Sequence, residues 1–186
     1  MISSLKELIR ILKLEKKLYL DSSFIRRVMN AFLKREYSVL YRYVRLMRIT
    51  DYFASNKKKN LFYRLLYLYF LRQYNKKCLK YGLLIGVGCF KEGLQIYHTG
   101  NIVVNGMCRI GKNCKLHGSN CIGNSKCDTD CPTLGDNVRL GVGAKVFGKI
   151  YIADDVTIAA GAVVTKSCYE KNVILAGVPA KIIRKK

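Results

Sequence analysis

The chain has 186 residues, half of them hydrophobic, which is enough for one domain with an appendage or for two small domains. Its 34 lysines and arginines outnumber its 12 aspartates and glutamates, giving a formal net charge of +22 at pH 7. Residues 1–80 hold 20 of the basic and 5 of the acidic residues, so most of the excess lies there. A basic surface indicates an anionic partner or simply solvated lysines; no nucleic-acid-binding motif accompanies it, so we expect no nucleic-acid binding.

Residues 1–81 lack glycine and proline and show helical spacing of apolar residues, which predicts a basic α-helical segment. A first helix is predicted to bury one stripe: Leu5, Leu8, Ile9 and Leu12. Ser23 is placed to cap a second helix that runs to about Ile49. This second helix is predicted to face inward with Phe24, Val28, Ala31 and Phe32.

A third helix around residues 61–71 is apolar nearly all round, and its longest uncharged run, Leu65–Leu71, is too short to span a bilayer. Arginine and lysine interleaved with tyrosine and phenylalanine could lie on an anionic membrane surface. The alternative is a helix buried against the rest of the protein. Charges at Lys6, Glu7 and Arg10 leave no secretory signal, so we expect a cytoplasmic protein, with peripheral contact at the inner face of the membrane left open.

The eight cysteines form no CxxC pair, and a cytoplasmic protein keeps its thiols reduced. Cys127 and Cys131 stand four apart, but their loop offers only Asp128 and Asp130 as further zinc ligands. We therefore expect no metal.

A six-residue period begins at Val104 and dominates the rest of the chain. Ten of eleven successive positions are aliphatic, Asp128 being the exception. The aliphatic positions are Val104, Ile110, Leu116, Ile122, Leu134, Leu140, Val146, Ile152, Ile158 and Val164. A repeat this short buries a face only by stacking on its neighbours, and six is a multiple of the β period of two, so the pattern predicts a parallel β-solenoid.

The period is interrupted without being lost at residues 123–133, which predicts a loop extruded from one coil. Irregular loops on a rigid scaffold commonly carry binding specificity. Gly82 opens the glycine-rich change from helix to solenoid. The predicted organisation is thus a helical segment at 1–81 and a solenoid domain at 82–186.

Residues 82–184 resemble the hexapeptide-repeat acyltransferases, and within them are most similar to the serine acetyltransferases and the related capsule and exopolysaccharide O-acetyltransferases. The motifs that carry the resemblance are Ile102-Val103-Val104 after His98, the hexads, Gly141-Val142-Gly143-Ala144-Lys145, Ala160-Gly161-Ala162-Val163-Val164 and Gly177-Val178-Pro179-Ala180-Lys181. The resemblance implies a left-handed parallel β-helix, a homotrimer, and acetyl-CoA bound as acetyl donor between neighbouring solenoids.

Acetyl transfer to a hydroxyl needs a general base and donors for the oxyanion of the tetrahedral intermediate. The chain has two histidines. His98 matches the catalytic histidine of the family, whereas His117 lies in a regular hexad and is expected to be structural. Resemblance further implies coenzyme contacts at Val142, Ala160, Thr165, Lys166 and Lys181.

Three departures from the serine enzymes bear on the acceptor. Tyr97 stands where they carry the aspartate before the histidine, Asp130 replaces the arginine of their Arg-His-Pro triplet, and Leu83 replaces the aspartate that orients the histidine. Glu92 is a candidate to orient His98 instead. Because the missing arginine removes a partner for an amino-acid carboxylate, these departures favour a sugar hydroxyl of a surface polysaccharide as acceptor.

Serine O-acetylation in cysteine biosynthesis is the alternative function. A β-helical carbonic anhydrase would need three histidines on zinc, one more than the chain has. A non-catalytic scaffold would need no base.

Overall fold

The computed structural model describes residues 2–185. The chain divides into two compact units, Met1–Tyr81 and Gly82–Lys186. The first unit is helical and the second is built from short strands in parallel sheets. The predicted order, helices followed by a parallel β structure, is confirmed.

The helical unit contains four helices: α1 (Leu5–Tyr19), α2 (Phe24–Phe32), α3 (Glu36–Asn56) and α4 (Leu61–Tyr81). The predicted single helix from Ser23 to about Ile49 is therefore broken. Lys34 adopts a left-handed backbone conformation (φ 49°), which an α-helix cannot contain. The break gives α3 a new start at Glu36.

The buried stripe of α1 is rotated from the predicted one, since Leu5 and Ile9 are exposed. The residues that α1 buries are Leu8, Ile11, Glu15 and Tyr19. Glu15 explains the rotation, because its carboxylate accepts hydrogen bonds from Arg48 of α3 at 2.7 and 3.1 Å. An ion pair, which an apolar pattern does not reveal, sets the face that α1 turns inward.

The predicted inner face of α2 is wrong, because Phe24 and Phe32 are 71% and 84% exposed. The residue that α2 buries is Asn30. Ser23 is the N-cap residue, but its side chain makes no capping hydrogen bond. The turn at Lys34 follows this nine-residue helix, and it is not visible in the spacing of apolar residues.

Helix α4 buries Tyr74 and Cys78 and exposes Leu61 and Phe62 at its start. Tyr74 and Tyr43 share a hydrogen bond of 2.8 Å between their hydroxyl oxygens, which joins α4 to α3. No helix within residues 2–185 is long and apolar enough to cross a membrane. Peripheral membrane contact stays a prediction.

The second unit has fourteen described strands, which form three sheets. The strands are β1 (Leu83–Ile85), β2 (Gln95–Ile96), β3 (Ile102–Val104), β4 (Arg109–Ile110), β5 (Lys115–Leu116), β6 (Cys121–Gly123), β7 (Thr133–Leu134), β8 (Arg139–Leu140), β9 (Lys145–Phe147), β10 (Tyr151–Ile152), β11 (Thr157–Ile158), β12 (Val163–Val164), β13 (Val173–Gly177) and β14 (Ala180–Lys185). Successive strands enter different sheets in rotation: β3-β6-β9-β12 in one, β4-β7-β10 in the next and β5-β8-β11 in the third. The second unit is thus a three-sided parallel solenoid, with three corners between its faces.

The register shows the coil length and the place of the insertion. Val103 pairs with Cys121 and Lys145 with Val163, so these coils take 18 residues each. Cys121 pairs with Lys145, 24 residues on. The six extra residues correspond to the skipped hexad at Asp128 and leave the coil as a loop between β6 and β7.

The aliphatic hexad positions form the core of the solenoid. All ten are at most 2% exposed. Cys108, Cys114 and Ala144, which stand two positions before a core aliphatic residue, are fully buried as well. Burial raises the pKa of the Cys114 thiol to about 12, so this cysteine is a small apolar filler. The solenoid ends in an antiparallel hairpin of β13 and β14, joined by a cis Val178–Pro179 peptide bond.

Candidate active site

One corner of the solenoid collects several of the residues that the sequence singled out. We call it the histidine corner; it comprises the turns after β2, β5, β8 and β11, at residues 97–101, 117–120, 141–144 and 159–162. Stacked coils place His98, Gly118, Val142 and Ala160 in successive turns. The amide of Gly143 donates to the Gly118 carbonyl at 2.9 Å, which ties two of these turns together.

His98 is an exposed residue of the first of these turns. A Cβ added to Gly118 would lie 3.4 Å from the His98 Cβ, so the missing side chain leaves the imidazole room beside the second turn. Glu92 lies in the turn before β2, at a different corner, and its carboxylate pairs with the Lys112 ammonium at 3.4 Å. The suggestion that Glu92 orients His98 stays a prediction.

A second imidazole lies beside His98. The His117 ring stacks on the Tyr97 ring with centroids 4.3 Å apart and planes within 5°. Arg139 of the following coil donates its Nε–H to His117 Nε2 at 2.8 Å. Tyr97, His117 and Arg139, which we call the stacked trio, thus cross three successive coils next to His98.

The pKa of His117 lies below its ordinary value. Burial is the largest cause, followed by the positive charges of Arg139, His98 and Lys115. The hydrogen bond also requires a neutral ring, because Nε2 can accept from Arg139 only while it carries no proton. His117 is therefore neutral at neutral pH, with its proton on Nδ1.

Asn120, which the sequence analysis did not single out, fixes the backbone of this corner. It is fully buried at a position in the six-residue repeat where other hexads have Cys114 or Ala144. Its side-chain oxygen accepts from the Gly118 amide at 3.0 Å, and its Nδ2 donates to the Gly141 carbonyl at 2.7 Å. The sequence does contain a signal for this role, since Asn120 is a polar residue at a repeat position that is small and apolar in other hexads.

The predicted coenzyme residues are spread over two corners and the final hairpin. Val142, 53% exposed, and Ala160 belong to the histidine corner. Thr165 and Lys166 follow β12 at another corner, which we call the loop corner, and Lys181 lies on β14. A single chain therefore lines up His98, Val142 and Ala160 at one corner, and Lys181, paired with Ala176 of β13, lies at the end of the same sheet. Thr165 and Lys166 lie at another corner.

The extruded loop, residues 124–132, leaves the solenoid at the loop corner, after β6. The Ser125 hydroxyl donates to Asp130 Oδ2 at 2.6 Å, and the Lys149 amide donates to Asp130 Oδ1 at 2.7 Å. The Ser125 bond is the largest of the causes that lower the pKa of Asp130. Asp130 thus closes the loop onto the next coil. Within residues 2–185 no cluster of three or more metal-ligating side chains forms.

Known relatives match about half of the chain, while no family model matches it. The serine acetyltransferase of Mycobacterium tuberculosis is 33% identical over 108 residues, 55% of this chain and 43% of that protein. The serine acetyltransferase of Synechococcus elongatus is 31% identical over 94 residues, 50% of this chain and 38% of that protein. The chain thus spans less than half the length of these curated relatives.

Solved structures show the same fold across both units. Serine acetyltransferase from Brucella abortus matches with a TM-score of 0.70 and 22% identity, covering 97% of this chain and 70% of that one. The Neisseria gonorrhoeae enzyme in complex with serine also gives 0.70, at 23% identity, covering 97% of this chain and 71% of that one. A serine acetyltransferase in complex with CoA gives 0.62, at 23% identity, covering 78% of this chain and 57% of that one.

These matches correct one prediction. The preference for a polysaccharide acceptor is wrong, because the curated relatives are named serine acetyltransferases and support the alternative. The departures at Tyr97, Leu83 and Asp130 are real, but they do not outweigh that similarity. The resemblance to the hexapeptide-repeat acyltransferases, and within them to the serine acetyltransferases, is confirmed.

Proposed function

We propose that this protein is an acetyl-CoA-dependent serine O-acetyltransferase. The observation that supports it most is the histidine corner, where an exposed imidazole stands in line with two positions that match coenzyme contacts of the family. The names of the relatives supply the acceptor, L-serine. Cytoplasmic location is part of the proposal.

In this reaction His98 is the general base. Its imidazole takes the proton of the serine hydroxyl as the oxygen attacks the thioester carbonyl. The new C–O bond gives a tetrahedral intermediate, whose collapse breaks the C–S bond. The departing thiolate takes the proton from His98, so the products are O-acetylserine and coenzyme A, and the base is restored.

Acetyl-CoA, as the acetyl donor, would lie along the histidine corner beside Val142 and Ala160. Thr165, Lys166 and Lys181 are the other proposed contacts, and the two lysines are suited to the coenzyme phosphates. Because Thr165 and Lys166 lie at the loop corner, one chain does not unite the set.

A left-handed β-helix assembled as a homotrimer resolves this separation. In a cyclic trimer each contact is heterologous, so one surface of a chain meets a different surface of its neighbour. The histidine corner of one chain can then face the loop corner of the next. The proposed site is therefore the groove between neighbouring solenoids.

The test is the His98→Ala variant, assayed by release of the coenzyme A thiol with L-serine. Losing a general base costs about 10² to 10⁴ in kcat. Because His98 is exposed, the thermal unfolding midpoint should stay that of the parent protein. Thr99→Ala, an exposed neighbour in the same turn, is the matched control. A fully active His98→Ala variant would show that the base is elsewhere.

A further inference from the structure

We propose that Arg139, held by His117 and Tyr97, binds the carboxylate of the amino-acid acceptor. The inference rests on the proposed function and deepens it, because it assigns the residue that recognises the charged end of serine. Asp130 cannot bind the carboxylate of serine, so another residue must do so. An amino-acid acceptor requires a cation for its carboxylate, and the loop position that carries arginine in the serine enzymes carries an acidic residue here.

Arg139 has the donors for this role. A guanidinium has five N–H donors in a rigid fork that matches a carboxylate. Within the described part of the chain, one of these donors, the Nε–H, is used, on His117. The side chain is exposed on the outer face of β8, so its two terminal nitrogens remain open to a ligand.

The stacked trio also sets the direction of the guanidinium. Arg139 belongs to the coil after that of His117, and its Nε reaches back to the His117 ring. The His117 ring is in turn held flat against Tyr97, the residue before His98. The contacts therefore aim Arg139 along the solenoid toward the turn that carries the base.

The spacing suits a small hydroxy amino acid. Adjacent parallel strands lie about 4.8 Å apart, so the guanidinium, drawn one coil back by His117, stands roughly 5–10 Å from the His98 turn. A molecule that bridges the two groups must hold a hydroxyl and a carboxylate on neighbouring carbons or nearly so. Serine has this arrangement, with the hydroxyl toward His98 and the carboxylate toward Arg139.

The experiment compares L-serine with L-serinamide, which keeps the hydroxyl and ammonium but lacks the carboxylate. In the Arg139→Gln variant the KM for L-serine should rise roughly 10- to 100-fold, the range for a lost charge-assisted hydrogen bond. The KM for L-serinamide should stay near that of the parent, so the preference for the carboxylate disappears. The KM for acetyl-CoA should not change.

Lys115→Gln is the matched control, since Lys115 is the register partner of Arg139 on the adjacent strand and carries the same charge. It should leave the KM for L-serine near the parental value. An unchanged KM for L-serine in Arg139→Gln would overturn the inference alone. A raised KM for acetyl-CoA would also overturn it, by assigning Arg139 to the coenzyme phosphates. A parent protein that acetylates another acceptor and not L-serine would overturn the proposed function and this inference together.

Discussion

His117 can hold Arg139 only in its neutral form, which makes the stacked trio sensitive to pH. Its pKa is lowered from 6.5, first by burial and then by the charges of Arg139, His98 and Lys115. Because the pKa is lowered, the imidazole stays neutral to a lower pH than a free histidine does, so the hydrogen bond from Arg139 is present at neutral pH. The bond is lost as the pH falls through the lowered pKa, when Nε2 gains a proton.

We therefore predict that the KM for L-serine is constant from about pH 8 to about pH 6.5 and rises at lower pH. Steady-state kinetics across this range would measure KM and kcat separately, so that an effect on acceptor binding is distinguished from an effect on the chemical step. His117→Gln is the control, because its side-chain oxygen accepts the same hydrogen bond and does not titrate. A KM that rises equally in both proteins would exclude His117 as the titrating group.

Among individual residues, the sequence alone identified those that match a family motif or interrupt the repeat. His98 is one of two histidines, and all ten aliphatic residues of the hexad count are buried. The contact between Arg139 and His117 was not visible, because the two residues lie 22 positions apart in the sequence. The 24-residue spacing of Lys115 and Arg139, a consequence of the extruded loop, brings them to adjacent strands.

Helices α1 and α3 are joined by a buried ionic cluster. Arg48 is 1% exposed, and its guanidinium contacts Glu15 at 2.7 Å and Asp51 at 3.4 Å. Burial alone would lower the pKa of Arg48, but the two carboxylates raise it, so the side chain stays charged. Such a cluster is costly to desolvate and more costly to break.

We predict that Glu15→Ala lowers the free energy of unfolding by about 3–5 kcal/mol, since it removes the carboxylate that lies 2.7 Å from a buried, charged guanidinium. Chemical denaturation of the variant and its parent measures this. Lys13→Ala, an exposed position on the same helix, is the control and should change little. A loss equal to that of the control would mean that water reaches Arg48.

The same cluster explains why the helices were harder to predict than the strands. An apolar stripe at helical spacing fits several rotations, and in α1 the choice depends on Glu15 meeting a residue 33 positions away. The solenoid has no such freedom, because a shift of one residue would turn every aliphatic side chain outward.

For the whole molecule, the separation of the two corners has a functional consequence. His98 lies at the histidine corner, whereas the extruded loop leaves from the loop corner. If a trimer pairs these corners between neighbours, each site takes its base from one chain and its loop from the next. A chain without His98 and a chain without the extruded loop should then form active sites together that neither forms alone.

This gives a prediction for mixed trimers of two inactive chains. One chain carries His98→Ala with the loop intact; the other lacks residues 125–130, which restores the 18-residue spacing of the regular coils. Random mixing in equal amounts joins an intact His98 to an intact loop at roughly a quarter of the interfaces. Co-refolded mixtures should therefore recover about that fraction of the parental kcat, measured by thiol release. Each chain refolded alone is the control and should remain inactive. Mixtures that stay inactive although both chains assemble would show that the base and the loop act within one chain.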